Sequence, residues 1–222
     1  MKKNLFTFCV AIFATALLTS CGSKCDKNDP ASECYEDPAL TTDAGVVING
    51  VKWATRNVDM PGKFAVTLES SGMFYQWNRK IGWSATDPMV NSNGDDVWDY
   101  TMPEGTEWEK ANDPCPQGWR VPTIDELRTL LDEDKVAHGT ACSDVIFRSF
   151  IDKTTEEILF LPVVGYRHPV GTLLDVGLLY GVYWSNTQYG EFDACCLSFN
   201  SDYANWSGGA RRSGFSVRCV AE

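Results

Sequence analysis

The sequence predicts an α+β domain: a twisted antiparallel sheet with one or two helices and long irregular loops. Three observations carry that expectation. Pro122-Thr123 ends an extended segment and opens an amphipathic helix, Asn49-Gly50 lies between two short apolar runs, and GFSVRCV from Gly214 alternates apolar with polar residues at the end of the chain. A helix followed by late antiparallel strands is the α+β pattern. With 222 residues, 44% hydrophobic and 12% aromatic, the chain has the composition of one folded domain with a sizeable core. Its net charge of −11, unrelieved by any Lys/Arg-rich run, repels phosphate backbones and argues against nucleic acid as a partner.

Residues 1–20 read as a lipoprotein signal peptide. Lys2 and Lys3 precede an apolar run from Leu5 to Leu18 that is too short for a comfortable membrane span, and small residues follow. Leu18-Thr19-Ser20-Cys21 resembles a bacterial lipobox, which predicts cleavage before Cys21 and acylation there. Gly22, with no aspartate at that position, is compatible with passage to the outer membrane. Multiple acyl chains anchor stably, because each buried methylene contributes about 0.8 kcal/mol and a single chain is marginal. The membrane is therefore met through the lipid alone. Residues 21–44 are polar and turn-rich, without a hydrophobic period, and read as a flexible tether. Cys25 and Cys34 within it are spaced to close a small disulfide loop in an oxidising, exported compartment.

The domain proper is placed at residues 45–222. Val46-Val47-Ile48 and Val51-Lys52-Trp53 flank Asn49-Gly50, a strong hairpin signal. Gly72 to Trp77 supplies a strand-like aromatic run. Lys80 to Asn112 is a long polar segment carrying Trp83, Trp98, Tyr100 and Trp108, which reads either as a loop pinned by buried aromatics or as an exposed sugar-stacking surface. Asn91 to Asp96 has oxygen side chains but lacks the spacing of a calcium loop, and reads as a turn.

The best-defined element is the helix. Thr123 is placed to accept from the Glu126 amide while the Glu126 carboxylate reaches back, a capping box that starts the helix at Ile124. Ile124, Leu127, Leu130 and Leu131 share one face, and Asp125, Glu126, Arg128 and Asp132 point outward, with acids in the first turn where the helix dipole favours them. Val145 to Ile151 is expected to form a second short helix, Ile158 to Val164 a buried strand, and Tyr166 to Pro169 a loop. Gly181 to Asn186 and Ala194 to Phe199 read as strands. In Gly214 to Val220, Phe215, Val217 and Cys219 alternate with Ser216, Arg218 and Val220, the period of a strand with one face in the core.

CPQGWRVPT before the helix, LPVVGYR from Leu161, GVYWSNT from Gly181 and GFSVRCV from Gly214 together resemble the Fibrobacter succinogenes major paralogous domain family. GVKWATRNVD from Gly50 and SGMFYQWN from Ser71 match that family's opening, so the likeness runs from about Val46 to Val220. The resemblance implies a C-type-lectin-like fold and a secreted location, and carries no agreed reaction or ligand.

There are nine cysteines. Cys9 leaves with the leader and Cys21 takes lipid, which leaves an odd number and at least one unpaired thiol. The expected bridge is Cys115–Cys219, tying the helix start to the last strand. Cys142 is expected to reach Cys195 or Cys196, which as strand neighbours point to opposite faces.

Little in the sequence points to catalysis. His138, expected in a loop after the helix, and His168 have no spaced partners for zinc, and no nucleophile elbow, P-loop or dinucleotide motif occurs, so neither a metal nor a cofactor is expected. Formylglycine-generating enzymes share the lectin-like fold and use paired cysteines, which makes Cys195 and Cys196 an oxidase alternative, though the wider enzyme motifs are missing. Binding is the favoured class. Asn200 to Gly209 followed by Arg211 and Arg212 reads as an exposed loop offering Asp202, Asn205, Trp206, Arg211 and Arg212. An aromatic face for C–H surface and planar hydrogen-bonding groups for hydroxyls suit a sugar. The triplets of calcium-dependent lectins are absent; Asn205-Trp206-Ser207 is not their match. The expectation is thus a surface-anchored binding or adhesion module for a glycan or a surface protein, the alternative being a structural subunit of a surface appendage or envelope complex.

Overall fold

The structure is a computed structural model that describes residues 37–142, 145–174 and 180–222, residue 142 by its backbone alone. Cys21, Cys25, Cys34 and the expected leader lie outside the described residues. Residues 37–222 form one compact unit. Among the described residues no helix is long and apolar enough to cross a membrane.

Among the described residues the unit is mostly antiparallel β-structure with one small α-helix. The strands are β1 (Val46–Ile48), β2 (Val51–Trp53), β3 (Phe74–Gln76), β4 (Gly82–Trp83), β5 (Trp119–Arg120), β6 (Val136–Cys142), β7 (Ile146–Asp152) and β8 (Ile158–Pro162). They continue with β9 (Tyr166–Arg167), β10 (Leu173–Leu174), β11 (Gly181–Tyr189), β12 (Asp193–Phe199), β13 (Ala204–Ala210), β14 (Gly214–Phe215) and β15 (Val220–Ala221). The helix α1 spans Ile124–Thr129, and its capping box is present as expected: the Thr123 hydroxyl accepts from the Glu126 amide at 3.2 Å and the Thr123 amide donates to Glu126 Oε2 at 2.7 Å. Burial alone would raise the Glu126 carboxyl, but its bonds to Arg120 and Thr123 hold it below the ordinary value.

Four small sheets result, in the orders β1-β2-β15-β5, β10-β9-β14-β3-β4, β11-β12-β13 and β6-β7-β8. The Asn49-Gly50 hairpin forms with the expected register, Ile48 opposite Val51. The β11-β12-β13 sheet is the middle layer, because strand alternation sends its side chains into two separate cores. Tyr183, Cys195, Leu197 and Phe199 pack with Ile124, Leu127, Leu130 and Phe150 on one side. Val182, Trp184, Ala194 and Cys196 pack with Tyr75, Trp77, Phe215 and Val217 on the other. Each large side chain removed from water this way stabilises the fold by about 1.5–3 kcal/mol.

Several expectations change. Val145 to Ile151 is not a helix; Ile146–Asp152 is strand β7, paired on both sides by β6 and β8. Its apolar residues crowd together because both faces are covered, which removes the alternation that would have marked a strand. His138 stands in β6 instead of a loop, its Nε2 2.7 Å from the Leu130 carbonyl oxygen. Tyr166–Arg167 is strand β9. The C-terminal run is not one half-buried strand: β14 pairs with β3, Ser216 bridges Tyr183, and β15 pairs with β2 and β5, so all of Gly214 to Val220 is buried. Arg218, 1% exposed, is therefore interior; its Nε and Nη2 donate to Asn57 Oδ1 at 3.0 and 2.7 Å and its Nη1 to the Ala54 carbonyl at 3.2 Å. Burial pulls its pKa below the ordinary arginine value.

The last part of the expected tether belongs to the body. Asp37 caps a 3-10 turn over Pro38–Leu40, and Asp43 accepts from the Gly45 amide at 2.8 Å and the Thr55 amide at 3.0 Å while pairing with Arg56 Nε at 3.2 Å. The Cys115–Cys219 bridge is present, with an S–S distance of 2.08 Å. It sits beside β15, where Val220 faces Arg120 and Trp53, so the end of the chain is fastened next to the helix start. Cys195 and Cys196 carry free, buried thiols, so neither makes the bridge to Cys142 that was expected.

Candidate functional site

The five residues expected to share a terminal binding loop do not line one concavity. Ala204–Ala210 is strand β13, paired along its whole length with β12, and glycines 208 and 209 had disguised it as a loop. Arg211 is 4% exposed and directs its guanidinium at main-chain carbonyls: Nε to Asp193 at 3.2 Å, Nη1 to Gly105 at 3.0 Å, and Nη2 to Gly190 at 3.2 Å. It also lies 4.5 Å over the Trp77 ring, a cation–π contact. Burial lowers its pKa, with Asp193 opposing. Trp206 is half-buried against Tyr189, ring centroids 5.8 Å apart, with the Arg128 guanidinium 5.0 Å over it. Asn205 is exposed and its side chain accepts from the Trp206 amide at 2.8 Å. Asp202 lies in the exposed β12–β13 turn, and Arg212 sits apart from it, its carbonyl accepting from Gln76 Nε2 at 3.1 Å.

The polar residues that do converge belong to the long segment after β3. Trp83, Trp98 and Trp108 in it are 2%, 3% and 6% exposed, so they are pins and not a sugar platform. The Trp98 indole donates to the Pro169 carbonyl at 3.0 Å and the Trp108 indole to the Asn112 carbonyl at 2.9 Å. Pinned this way, the chain from Thr101 to Asn112 surrounds an open basin of about 420 Å³ lined by Asn78, Arg79, Thr101, Met102, Glu104, Glu109 and Asn112.

Asn78 is the floor and the organiser. It holds a left-handed backbone, φ 52°, which asparagine tolerates better than most residues. Its Nδ2 donates to the Glu104 carbonyl at 2.8 Å, while its Oδ1 accepts from the Glu109 amide at 2.8 Å and from Asn112 Nδ2 at 3.2 Å. One buried amide thus ties three rim residues together. Arg79 Nη2 donates to Thr101 Oγ1 at 2.8 Å and lies 3.7 Å from Asp99 Oδ2, while its buried Nε has no hydrogen-bond partner among the described residues. Arg211 braces the same wall from behind through the Gly105 and Pro103 carbonyls. The terminal arginine expected to touch ligand is a support for the rim.

The basin therefore presents a guanidinium, two exposed carboxylates and a carboxamide, all planar groups that bond hydroxyls in defined directions. Tyr100, 58% exposed, immediately precedes the rim and offers a ring face. None of the lining residues is a cysteine, histidine or lysine. The free thiols among the described residues lie elsewhere, Cys195 in one core and Cys196 in the other; burial pushes the Cys196 thiol up to about 12, so it holds its proton at neutral pH. Among the described residues no group of three or more His, Cys, Asp or Glu is placed to hold a metal ion. The turn at Asn91 is closed by its own side chain, whose Oδ1 accepts from the Asn93 and Asp95 amides at 2.8 and 3.0 Å.

No motif in the sequence marks the basin; the one signal was the length and polarity of the segment, and Asn78 and Arg79 were missed because a single Asn-Arg pair after an aromatic strand is unremarkable. No protein-family model, curated protein or solved structure matches this chain.

Proposed function

We propose that this chain is a lipid-anchored cell-surface binding module, acylated at Cys21 and held at the outer membrane, whose basin recognises a glycan. The observation that carries the reading is the convergence of Arg79, Glu104, Glu109 and Asn112 around Asn78. Carbohydrate hydroxyls need directed donors and acceptors, and the basin supplies these on segments fixed from below by Asn78 and Arg211; the aromatic surface that sugar C–H faces need is assigned here to the exposed Tyr100, the residue before Thr101. The antiparallel sheets, the single helix and the long structured loops suit the C-type-lectin-like branch that the motifs resemble, though no calcium-lectin triplet occurs. A binding role is favoured over the thiol-based oxidase alternative because the basin offers no thiol and the two free thiols among the described residues, Cys195 and Cys196, are interior. A glycan array probed with the purified protein is expected to give hits that Glu104→Ala and Asn112→Ala weaken at least tenfold without changing the fold. Silence across the array, or hits indifferent to both changes, would remove the reading.

A further inference from the structure

The outer edge of β13 is open in a patterned way. In an antiparallel ladder, successive residues alternate between directing both backbone groups at the neighbouring strand and directing both away. The Arg211 amide donates to the Phe192 carbonyl at 3.0 Å at one end, and the Asn200 amide donates to the Tyr203 carbonyl at 3.0 Å at the other. Odd-numbered residues of β13 therefore bond to β12, and Ala204, Trp206, Gly208 and Ala210 face outward.

Two of the outward groups are satisfied within the chain. The Trp206 amide donates to Asn205 Oδ1 at 2.8 Å, and the Ala210 carbonyl accepts from the Ser213 amide at 2.8 Å. The Trp206 carbonyl, the amide and carbonyl of Gly208, the Ala210 amide and both backbone groups of Ala204 at the strand's start meet no partner among the described residues. The four from Trp206 to Ala210 match one another under a twofold rotation. Antiparallel self-pairing centred on Gly208 sets Gly208 against Gly208 and Trp206 against Ala210. The two Gly208 residues exchange both their bonds, and each Ala210 amide meets the other copy's Trp206 carbonyl. The groups that would face each other on the remaining rungs, the Trp206 amide and the Ala210 carbonyl, are the two already capped, so neither is orphaned. A slip of two residues in either direction sets one Gly208 group against a capped one.

We infer that a second copy of this chain docks on this edge, joining the two β11-β12-β13 sheets into one continuous sheet through a twofold axis at Gly208. Three features of the edge favour that occupant. Its sequence, ANWSGGA, has no proline and no charge, the usual devices that keep edge strands apart, in a chain whose net charge is −11. A charge near the axis would meet its own copy. Gly208 is exposed and has no side chain, so the two backbones approach without obstruction. Beside it the Tyr189 ring, 50% exposed, crosses the strand so closely that a Cβ on Gly208 would stand 2.6 Å from Cδ1. That ring and Trp206 give the joined sheet an apolar flank to cover.

Sedimentation equilibrium of the purified chain over a dilution series reaching about 1 mM is expected to show the molar mass doubling at the upper end and halving on dilution. Amide hydrogen exchange at the same concentrations is expected to slow at Gly208 and Ala210 as dimer forms, with Trp206, whose amide is capped in the monomer, changing least. Gly208→Pro removes an outward donor that β12 does not use, and is expected to give a monomer. Should that variant fail to fold, the wild-type exchange data still decide. A chain that stays monomeric throughout, or a dimer whose Gly208 and Ala210 amides exchange as fast as in the dilute protein, overturns the inference.

Discussion

Replacing Cys115 and Cys219 together with alanine removes a crosslink between residues 104 positions apart. In the chain-entropy model, opening a loop of that size stabilises the unfolded ensemble by about 4.7 kcal/mol at 25 °C, since the term grows only with the logarithm of loop length. Cys219 is fully buried in the core built on Trp77 and Phe215, so truncation also loses packing there. The total stability of a domain is about 5–15 kcal/mol, which makes the bridge a large share of it. With a urea slope of roughly 2 kcal/mol/M, the midpoint should fall by about 2 M. Equilibrium urea unfolding followed by tryptophan fluorescence measures this directly, because buried Trp53, Trp77 and Trp184 report on both cores. The strands most affected are β15 and its partners β2 and β5, which the bridge fastens to the start of α1. A midpoint shift below about 0.5 M at unchanged slope would mean that the terminal segment stays ordered without the bond, and the reasoning from loop length would be refuted.

Acid sensitivity should be traceable to Asp43. Burial raises its carboxyl, but the Thr55 and Gly45 amides, the Thr55 hydroxyl and Arg56 outweigh that and leave the folded value below the ordinary one. A depressed folded pKa contributes stability that is present above the unfolded value of about 3.9 and lost as pH falls through the folded value. Asp43→Asn should therefore lower stability at pH 7 and flatten its decline between about pH 5 and pH 2; an unchanged slope would contradict the assignment. The thiols of Cys195 and Cys196 should resist alkylation at pH 8 in the native protein and react at once in denaturant, as peptide mapping will show. Rapid native labelling of Cys196 would contradict its burial and its raised pKa. Gly72→Ala should destabilise by more than about 1 kcal/mol, because φ there is +62° and the new Cβ would stand 2.1 Å from the Val58 carbonyl oxygen. A thermal midpoint within a degree of wild type would count against that backbone geometry.

What could be read in advance was what local chemistry determines. The Thr123 and Glu126 capping box and the Asn49-Gly50 hairpin each follow from residues that leave the backbone few choices; the Cys115–Cys219 bridge, also present as expected, joins residues 104 positions apart that no local rule pairs. The errors fall where tertiary burial overrides local pattern. The β7 strand hides its alternation because both of its faces are covered, so Phe147 and Phe150 looked like one face of a helix. The same double burial misled the reading of Ser216 and Arg218, whose polar side chains argued for solvent although Arg218 is enclosed with Asn57. At the site, tryptophans in a polar loop did mark a structured segment, but periodicity cannot tell whether an indole faces in or out. Arg211 illustrates the limit best: its position in the chain placed it near a binding surface, and only the fold shows that it works by holding Gly105 and Pro103 from behind.

On the proposed reading, recognition belongs to the basin around Asn78 and not to the strand and turns near Trp206. Hydrogen exchange of the protein with and without the glycan selected on an array tests it most directly. Protection confined to the segment from Asp99 to Asn112, and abolished by Asn78→Ala, is the predicted result. Protection centred on the stretch from Asn200 to Trp206, with the segment before Cys115 unchanged, would contradict the account.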